Sequence, residues 1–114
     1  MAKTRFPQII GKPTICGIYK ITSLKTGLSY IGQSNDICDR WKQHCKNALG
    51  VGTVTTENKL YKSMREDGLS NFTFEVLEEC EAKLLDEKEK YYIGLYDTYN
   101  YGLNGTQGNS RRTD

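Results

Sequence analysis

The sequence of 114 residues contains only two prolines and one histidine, and it has no long apolar segment. Its apolar runs extend over a few residues each, which excludes a transmembrane helix and the apolar core of a secretory signal. The spacings of the four cysteines match no zinc-binding pattern, and the lone His44 does not complete one. We therefore expect no zinc site, reduced and buried thiols, and a cytoplasmic protein without a membrane partner.

The composition also lacks the bias of a disordered or fibrous protein, since 37% of the residues are apolar and 26% are charged. The length is near the common size of one domain, so a single core is expected. We place this domain at residues 15–107, between an extended basic arm at 1–14 and a polar tail at 108–114.

A small net charge of +2 conceals a strong separation of charge along the chain. Residues 1–65 contain eleven Lys and Arg against three Asp and Glu, whereas residues 66–114 contain five against eleven. A basic half on a small domain is typical of a protein that binds a polyanion, most often a nucleic acid. A chance separation of solvated charges explains the composition about equally well.

Two neighbouring segments rich in β-forming residues, 15–22 and 28–33, predict a β-hairpin. A four-residue loop between them would end at Gly27, which can adopt a positive φ without strain. The loop length fixes the register, and in that register Tyr19 and Tyr30 are near neighbours on one face of the hairpin.

A helix is predicted after the hairpin, because residues 34–36 (Ser, Asn, Asp) are helix-capping types. It runs to about Asn47. Arg40 and His44 are four residues apart, so they share a face of this helix beside its apolar stripe. The stripe itself consists of Ile37, Trp41, Cys45 and Ala48.

The last long helix is predicted from about residue 82 to residue 96, with an inward stripe of Leu85, Tyr92 and Tyr96. Glu89 falls within this stripe, whereas Glu87 belongs to the polar face. A carboxylate on an apolar stripe costs desolvation unless it is paired or binds a metal ion, so Glu89 is a candidate functional residue. Between the two helices the sequence predicts a loop at 50–56, a helix at 57–66 with Leu60, Tyr61 and Met64 inward, and a strand at 72–77.

The triplets Gly17-Ile18-Tyr19 and Tyr30-Ile31-Gly32, at hairpin spacing, resemble the signature of the GIY-YIG nuclease family. The resemblance covers about residues 15–107. It implies an α/β fold of the α+β type, in which a small three-stranded antiparallel sheet is flanked by about three helices. The later family positions are represented, in order, by Arg40, His44, Glu89 and Asn104.

The same resemblance implies an endonuclease that hydrolyses phosphodiester bonds in double-stranded DNA with one Mg²⁺, or Mn²⁺, per active site. Glu89 is then the metal ligand, and Mg²⁺ commonly takes a single protein carboxylate. Arg40 would stabilise charge on the scissile phosphate. Tyr19 would activate the water, since a nearby cation lowers the pKa of a phenol. Tyr30, His44 and Asn104 complete the catalytic set, and DNA contacts are expected from Gly32, Lys20, Lys42 and Lys46.

Two other functions fit these residues. A domain of this fold could bind nucleic acid while cutting it little or not at all, or it could be a structural part of a larger assembly. An assay with DNA distinguishes the three functions: an endonuclease cleaves it, a binding domain binds it without cleavage, and a structural domain does neither. One site cuts one strand per encounter, so cleavage of both strands needs either a dimer or two encounters. The oligomeric state therefore stays open between a monomer and a transient dimer on DNA.

Overall fold

A computed structural model describes residues 15–49 and 59–104 of the chain. The predicted arm, the loop at 50–56, the first two residues of the predicted second helix and the tail lie outside these ranges. Within them the elements are β1 (Gly17–Ser23), β2 (Ser29–Ser34), α1 (Ile37–Leu49), α2 (Lys59–Asp67), β3 (Phe72–Glu79), α3 (Leu85–Tyr96) and α4 (Thr98–Tyr101), with 3-10 helices at Leu69–Asn71 and Ala82–Leu84.

The three strands form one antiparallel sheet in the order β2-β1-β3, which confirms the predicted fold class. The hairpin has the register that its loop length predicts, with Ile21 opposite Tyr30 and Tyr19 opposite Gly32. Gly27 closes the turn with a φ of 78°. Strand β2 is therefore an edge strand, and Tyr19 on the central strand lies directly beside it.

Each face of the sheet carries its own apolar cluster. On one face Tyr19 and Ile21 pack with Trp41 of α1 and with α2, where Leu60, Tyr61 and Met64 are all buried as predicted. The opposite face packs against α3 through a smaller cluster, which consists of Ile18, Ile31, Leu85 and Ile93. Helices α1 and α3 consequently lie on opposite faces of the sheet. Their side chains can approach each other only at an edge of the sheet.

Helix α1 begins where the capping residues predict. The Asp36 side chain accepts a hydrogen bond from the Asp39 backbone N–H (3.2 Å), and Ser34 supports the turn before it (2.9 Å). The buried stripe contains His44 in place of the predicted Cys45, because Cys45 lies at the margin of the helix face and is half-buried. All four cysteines are free thiols, but they are half-buried rather than buried.

Helix α3 ends at Tyr96 as predicted, but its start and the burial of its last residue differ from the prediction. A 3-10 turn occupies residues 82–84, so the α-helix begins only at Leu85. Leu85 and Ile93 are buried, whereas Tyr96 is 43% exposed and lies beneath the ammonium of Lys20 (4.5 Å). The inward stripe thus has the spacing i, i+4, i+8, and Glu89 occupies its middle position. No helix in residues 15–49 and 59–104 is long and apolar enough to cross a membrane.

Candidate functional site

The ring of Tyr19 crosses the edge strand at Gly32. These two residues are directly opposite, and a Cβ added to Gly32 would lie 2.4 Å from both Cζ and Oη of Tyr19. Only glycine at position 32 therefore leaves room for the phenol ring of Tyr19. The ring lies across β2, and its hydroxyl is next to Gly32. Gly32 is buried beneath this ring. Its position indicates a steric role for Gly32 rather than the DNA contact expected from the sequence.

The Gly32→Ala variant should be less stable than the wild type by about 1–3 kcal/mol, since the new methyl group must displace the Tyr19 ring. The matched control is Gly94→Ala, where the added Cβ meets nothing within 4 Å on α3. This second change should stabilise the protein by up to about 1 kcal/mol, because alanine favours helix. Urea unfolding of both variants measures the difference. Unchanged stability of Gly32→Ala would contradict the placement of the ring.

Three side chains surround the Tyr19 hydroxyl. His44 Nε2 lies 2.7 Å from it, and the positive charge of Arg40 acts on it electrostatically. The Tyr30 ring lies on the same face, 6.4 Å from the Tyr19 ring between centroids, as the hairpin register predicts. Tyr30 and Arg40 are half-buried, whereas Tyr19 and His44 are each 1% exposed. A ligand that enters from solvent therefore contacts Tyr30 and Arg40 before it reaches Tyr19 and His44.

Tyr19 is a neutral phenol in this environment. Burial raises its pKa well above the usual value, the neighbouring Tyr30 raises it further, and Arg40 lowers it by less. The expected lowering by a cation is therefore present, but desolvation outweighs it. Arg40 keeps its charge: burial lowers its pKa, yet the nearby phenols, Tyr19 foremost, raise it by more.

His44 is a neutral imidazole. Burial, and next the charge of Arg40, lower its pKa from 6.5 to about 3. Its Nδ1 lies 3.0 Å from the hydroxyl of Tyr61 on α2, so both ring nitrogens are engaged by phenols. A neutral ring has one N–H donor and one acceptor nitrogen, and it can pass a proton between its two partners.

The low pKa of His44 predicts a loss of stability in mild acid. At pH 7 both folded and unfolded chains hold the imidazole neutral. As the pH falls below 6.5 only the unfolded chain takes up the proton, so the free energy of unfolding should drop by about 2 kcal/mol between pH 7 and pH 5. Urea unfolding at the two pH values measures the drop, and His44→Gln should largely abolish it. A His44 that titrates near pH 6.5 in the folded protein would contradict the prediction.

Glu89 approaches the same edge from the opposite face of the sheet. Its Oε1 accepts a hydrogen bond from Gln33 Nε2 of β2 (3.0 Å), and the same Nε2 donates to Asp86 Oδ1 (2.8 Å). Glu89 is half-buried while Glu87 is exposed, which confirms the predicted division of the two carboxylates. The charge of Glu89 also raises the pKa of Tyr19, so the carboxylate lies within electrostatic reach of the phenol.

The residues around Glu89 fit a magnesium ion better than a transition metal. In residues 15–49 and 59–104 no three His, Cys, Asp or Glu side chains form a group that could hold a metal ion. A carboxylate is a hard oxygen ligand, and Mg²⁺ is commonly held by one or two carboxylates with water and phosphate oxygens in the remaining positions. Glu89 is the residue of this edge that could hold such an ion, within electrostatic reach of Tyr19.

Asn104 braces the site from behind. Its Oδ1 accepts a hydrogen bond from the Ile31 N–H (2.8 Å), and its Nδ2 donates to the Ile31 C=O (2.9 Å). The amide thereby pairs with the outer edge of β2, where a further strand would otherwise bind. Asn104 is 4% exposed, so its predicted catalytic role becomes one of positioning.

The lysines expected to contact DNA are dispersed. Lys20 lies on the α3 face of the sheet, where its ammonium is 3.9 Å from a Glu75 carboxylate oxygen, so it does not face the site and the prediction of a DNA contact there is wrong. Lys42 and Lys46 are exposed on α1, but they project about 160° and about 120° away from Arg40 around the helix. A DNA contact made by Lys42 or Lys46 would therefore lie outside the site that contains Arg40.

Two polar contacts of the site were not predicted. Tyr61 contacts His44, and Gln33 contacts Glu89. The apolar pattern correctly predicts that Tyr61 faces the core, but it gives no information about the partner of the hydroxyl. Gln33 directly follows the second triplet, and its alternation with Ile31 could have placed it on the α3 face.

Comparisons with known proteins agree with this geometry. The family model described as the GIY-YIG catalytic domain matches residues 15–102. A structure of the catalytic domain of the homing endonuclease I-TevI is 29% identical and covers 80% of this chain and 98% of its own, with a TM-score of 0.67. A variant of the same catalytic domain, from the intron endonuclease I-TevI, is 26% identical over 82% of this chain and 95% of its own, also with a TM-score of 0.67. No curated protein sequence matches significantly.

The family match spans most of the chain, and the two solved structures share its fold over nearly their whole length. Both triplets of the signature lie side by side in the hairpin, with the first tyrosine seated over the last glycine. On this basis the chain belongs to the GIY-YIG family of nuclease domains.

Proposed function

We propose that the protein is a metal-dependent endonuclease that hydrolyses phosphodiester bonds in double-stranded DNA. The observation that carries the proposal is the convergence at one sheet edge of Tyr19, Arg40 and His44 from one face and Glu89 from the other. A phenol, a fixed cation, a neutral imidazole and a carboxylate are the groups that water activation, phosphate binding and metal binding require. The similar catalytic domain of I-TevI comes from an endonuclease.

Arg40 receives the scissile phosphate. It is half-buried, and its Nη1 donates to Oε1 of the exposed Gln43 (3.1 Å), so part of the guanidinium faces solvent. A planar guanidinium can donate two parallel hydrogen bonds to phosphate oxygens, and its charge offsets the charge that develops on them. As Arg40 turns to the phosphate it also uncovers the Tyr19 hydroxyl for the attacking water.

Tyr19 and His44 move the proton of that water. The Tyr19 oxygen takes it while the phenol gives its own proton to His44 Nε2, 2.7 Å away. In the free protein Arg40 helps to keep the pKa of His44 low. A bound phosphate offsets the charge of Arg40, which raises the pKa of His44 when substrate is present.

Glu89 completes the site as the ligand of one Mg²⁺ or Mn²⁺. When bound there, the ion supplies charge neutralisation at the phosphate and at the departing oxygen. Gln33 fixes the carboxylate by its hydrogen bond to Oε1, so the ligand is oriented before the ion binds.

Conversion of supercoiled plasmid to nicked circles, with MgCl₂ and with excess EDTA, tests the proposal. We expect nicking with Mg²⁺ and none with EDTA. Salt-dependent DNA binding without nicking would instead establish the alternative function, a binding domain of this fold, and would overturn the proposal.

A further inference from the structure

Tyr61 engages the ring nitrogen of His44 that faces away from Tyr19. Its hydroxyl lies 3.0 Å from His44 Nδ1, and the two rings are 5.7 Å apart between centroids. Tyr61 is 5% exposed and His44 is 1% exposed. Asn47, one turn after His44 on α1, donates from Nδ2 to the same Tyr61 oxygen (3.1 Å). Helix α2 thus contributes a buried hydroxyl to a site otherwise built from the hairpin, α1 and α3.

The contacts of Tyr19 decide which nitrogen of His44 carries the proton. The charge of Arg40 acts on the Tyr19 phenol, and a guanidinium has only donors, so the hydroxyl turns its oxygen rather than its hydrogen toward Arg40. The Tyr19 O–H is buried and must itself be donated, and His44 Nε2 lies at a suitable 2.7 Å. Nε2 then has no hydrogen. The neutral ring carries its hydrogen on Nδ1 and donates it to the Tyr61 oxygen.

We propose that Tyr61 is a positioning residue that holds His44 in the Nδ1–H tautomer, with Nε2 bare toward Tyr19. The Tyr61 oxygen plays the part that a carboxylate or a carbonyl commonly plays behind a histidine. The hydrogen bond from Asn47 Nδ2 likewise uses this oxygen as an acceptor. The consequence for catalysis depends on the proposed function, since a bare Nε2 is the form that can accept the proton of Tyr19.

The tautomer can be read by ¹⁵N NMR, because protonated and bare imidazole nitrogens have well-separated chemical shifts. His44 is the only histidine of the chain, so ¹⁵N-histidine labelling reports on it alone. At pH 7 we expect the Nδ1–H form in the wild type. A wild-type ring with its hydrogen on Nε2 overturns the proposal, whatever the variants do and whether or not the protein cuts DNA.

The Tyr61→Phe variant keeps the ring and removes the acceptor. We expect its His44 to shift toward the Nε2–H form, and kcat for cleavage to fall about tenfold or more with little change in KM. The control is Tyr101→Phe, which removes a phenol oxygen from an exposed position on α4 and should change neither. Unchanged cleavage despite a shifted tautomer, or lost cleavage with the tautomer intact, overturns the positioning role. A wild type that fails to cleave would disprove the proposed function and leave the tautomer to be decided by its own spectrum.

Discussion

Replacing Glu89 by glutamine should abolish DNA cleavage, whereas the same replacement at Glu87 should leave most of it. The amide of a glutamine at position 89 can still accept the hydrogen bond from Gln33, so the fold and the local geometry should persist. The negative charge, however, is lost, and a neutral amide oxygen is a much weaker ligand for Mg²⁺ than a carboxylate. Initial rates of plasmid nicking across a range of MgCl₂ concentrations measure the effect.

Glu87 is the matched control because it lies on the same helix, two residues away, and is exposed to solvent. Asp86 is a stricter control, since it shares the Gln33 amide with Glu89 (2.8 Å). We expect Asp86→Asn to slow cleavage less than Glu89→Gln, because the proposed metal ligand is Glu89, to which Asp86 is linked through the shared Gln33 amide. Equal losses in Glu89→Gln and Glu87→Gln would show that net charge on α3, rather than one ligand, controls the reaction.

The parts of the fold that the sequence predicted well depend on contacts between near neighbours. The hairpin register follows from the loop length and from the glycine at its end, and the pairing of Ile21 with Tyr30 confirms it. The start of α1 follows from Asp36, which caps the helix within three residues. Such features are determined by local backbone geometry and need no knowledge of tertiary packing.

The errors arise where distant segments meet. Tyr96 was placed in the core of α3, but this end of the helix extends past the small cluster on its face of the sheet, so the ring is exposed beneath Lys20. Lys20 itself was assigned to DNA because of its charge, although strand alternation places it on the opposite face from Tyr19. Helical and strand periodicity identify the face of an element but not what covers it.

The same division applies to the site. Periodicity and the two triplets identified Tyr19, His44 and Glu89, and the structure brings these three to one edge. Their environment was less predictable, because burial depends on the whole packing of α1 and α2. Burial makes Tyr19 a neutral phenol and His44 a neutral imidazole, and both states determine what the groups can do.

The Tyr19→Phe variant should fold and should lose cleavage by about 10²- to 10⁴-fold, the usual contribution of a positioned general base. The phenyl ring still fills the space over Gly32, so the packing of the hairpin is kept. Removing the hydroxyl leaves His44 Nε2 without its 2.7 Å partner, which should cost about 1–2 kcal/mol of stability. Single-turnover cleavage of a defined duplex, with the free energy of unfolding from urea titration, separates the two effects.

The control for this change is Tyr99→Phe, which removes a phenol oxygen from a half-buried ring of α4 that packs against the small apolar cluster between the sheet and α3, and this variant should cleave DNA at the wild-type rate. DNA affinity of Tyr19→Phe should stay close to that of the wild type, because Arg40 keeps its charge and gains freedom to meet the phosphate. A Tyr19→Phe enzyme that cuts normally would reduce Tyr19 to a core aromatic. The half-exposed Tyr30 would then be the remaining phenol able to take the proton of water, and Tyr30→Phe should show the loss instead.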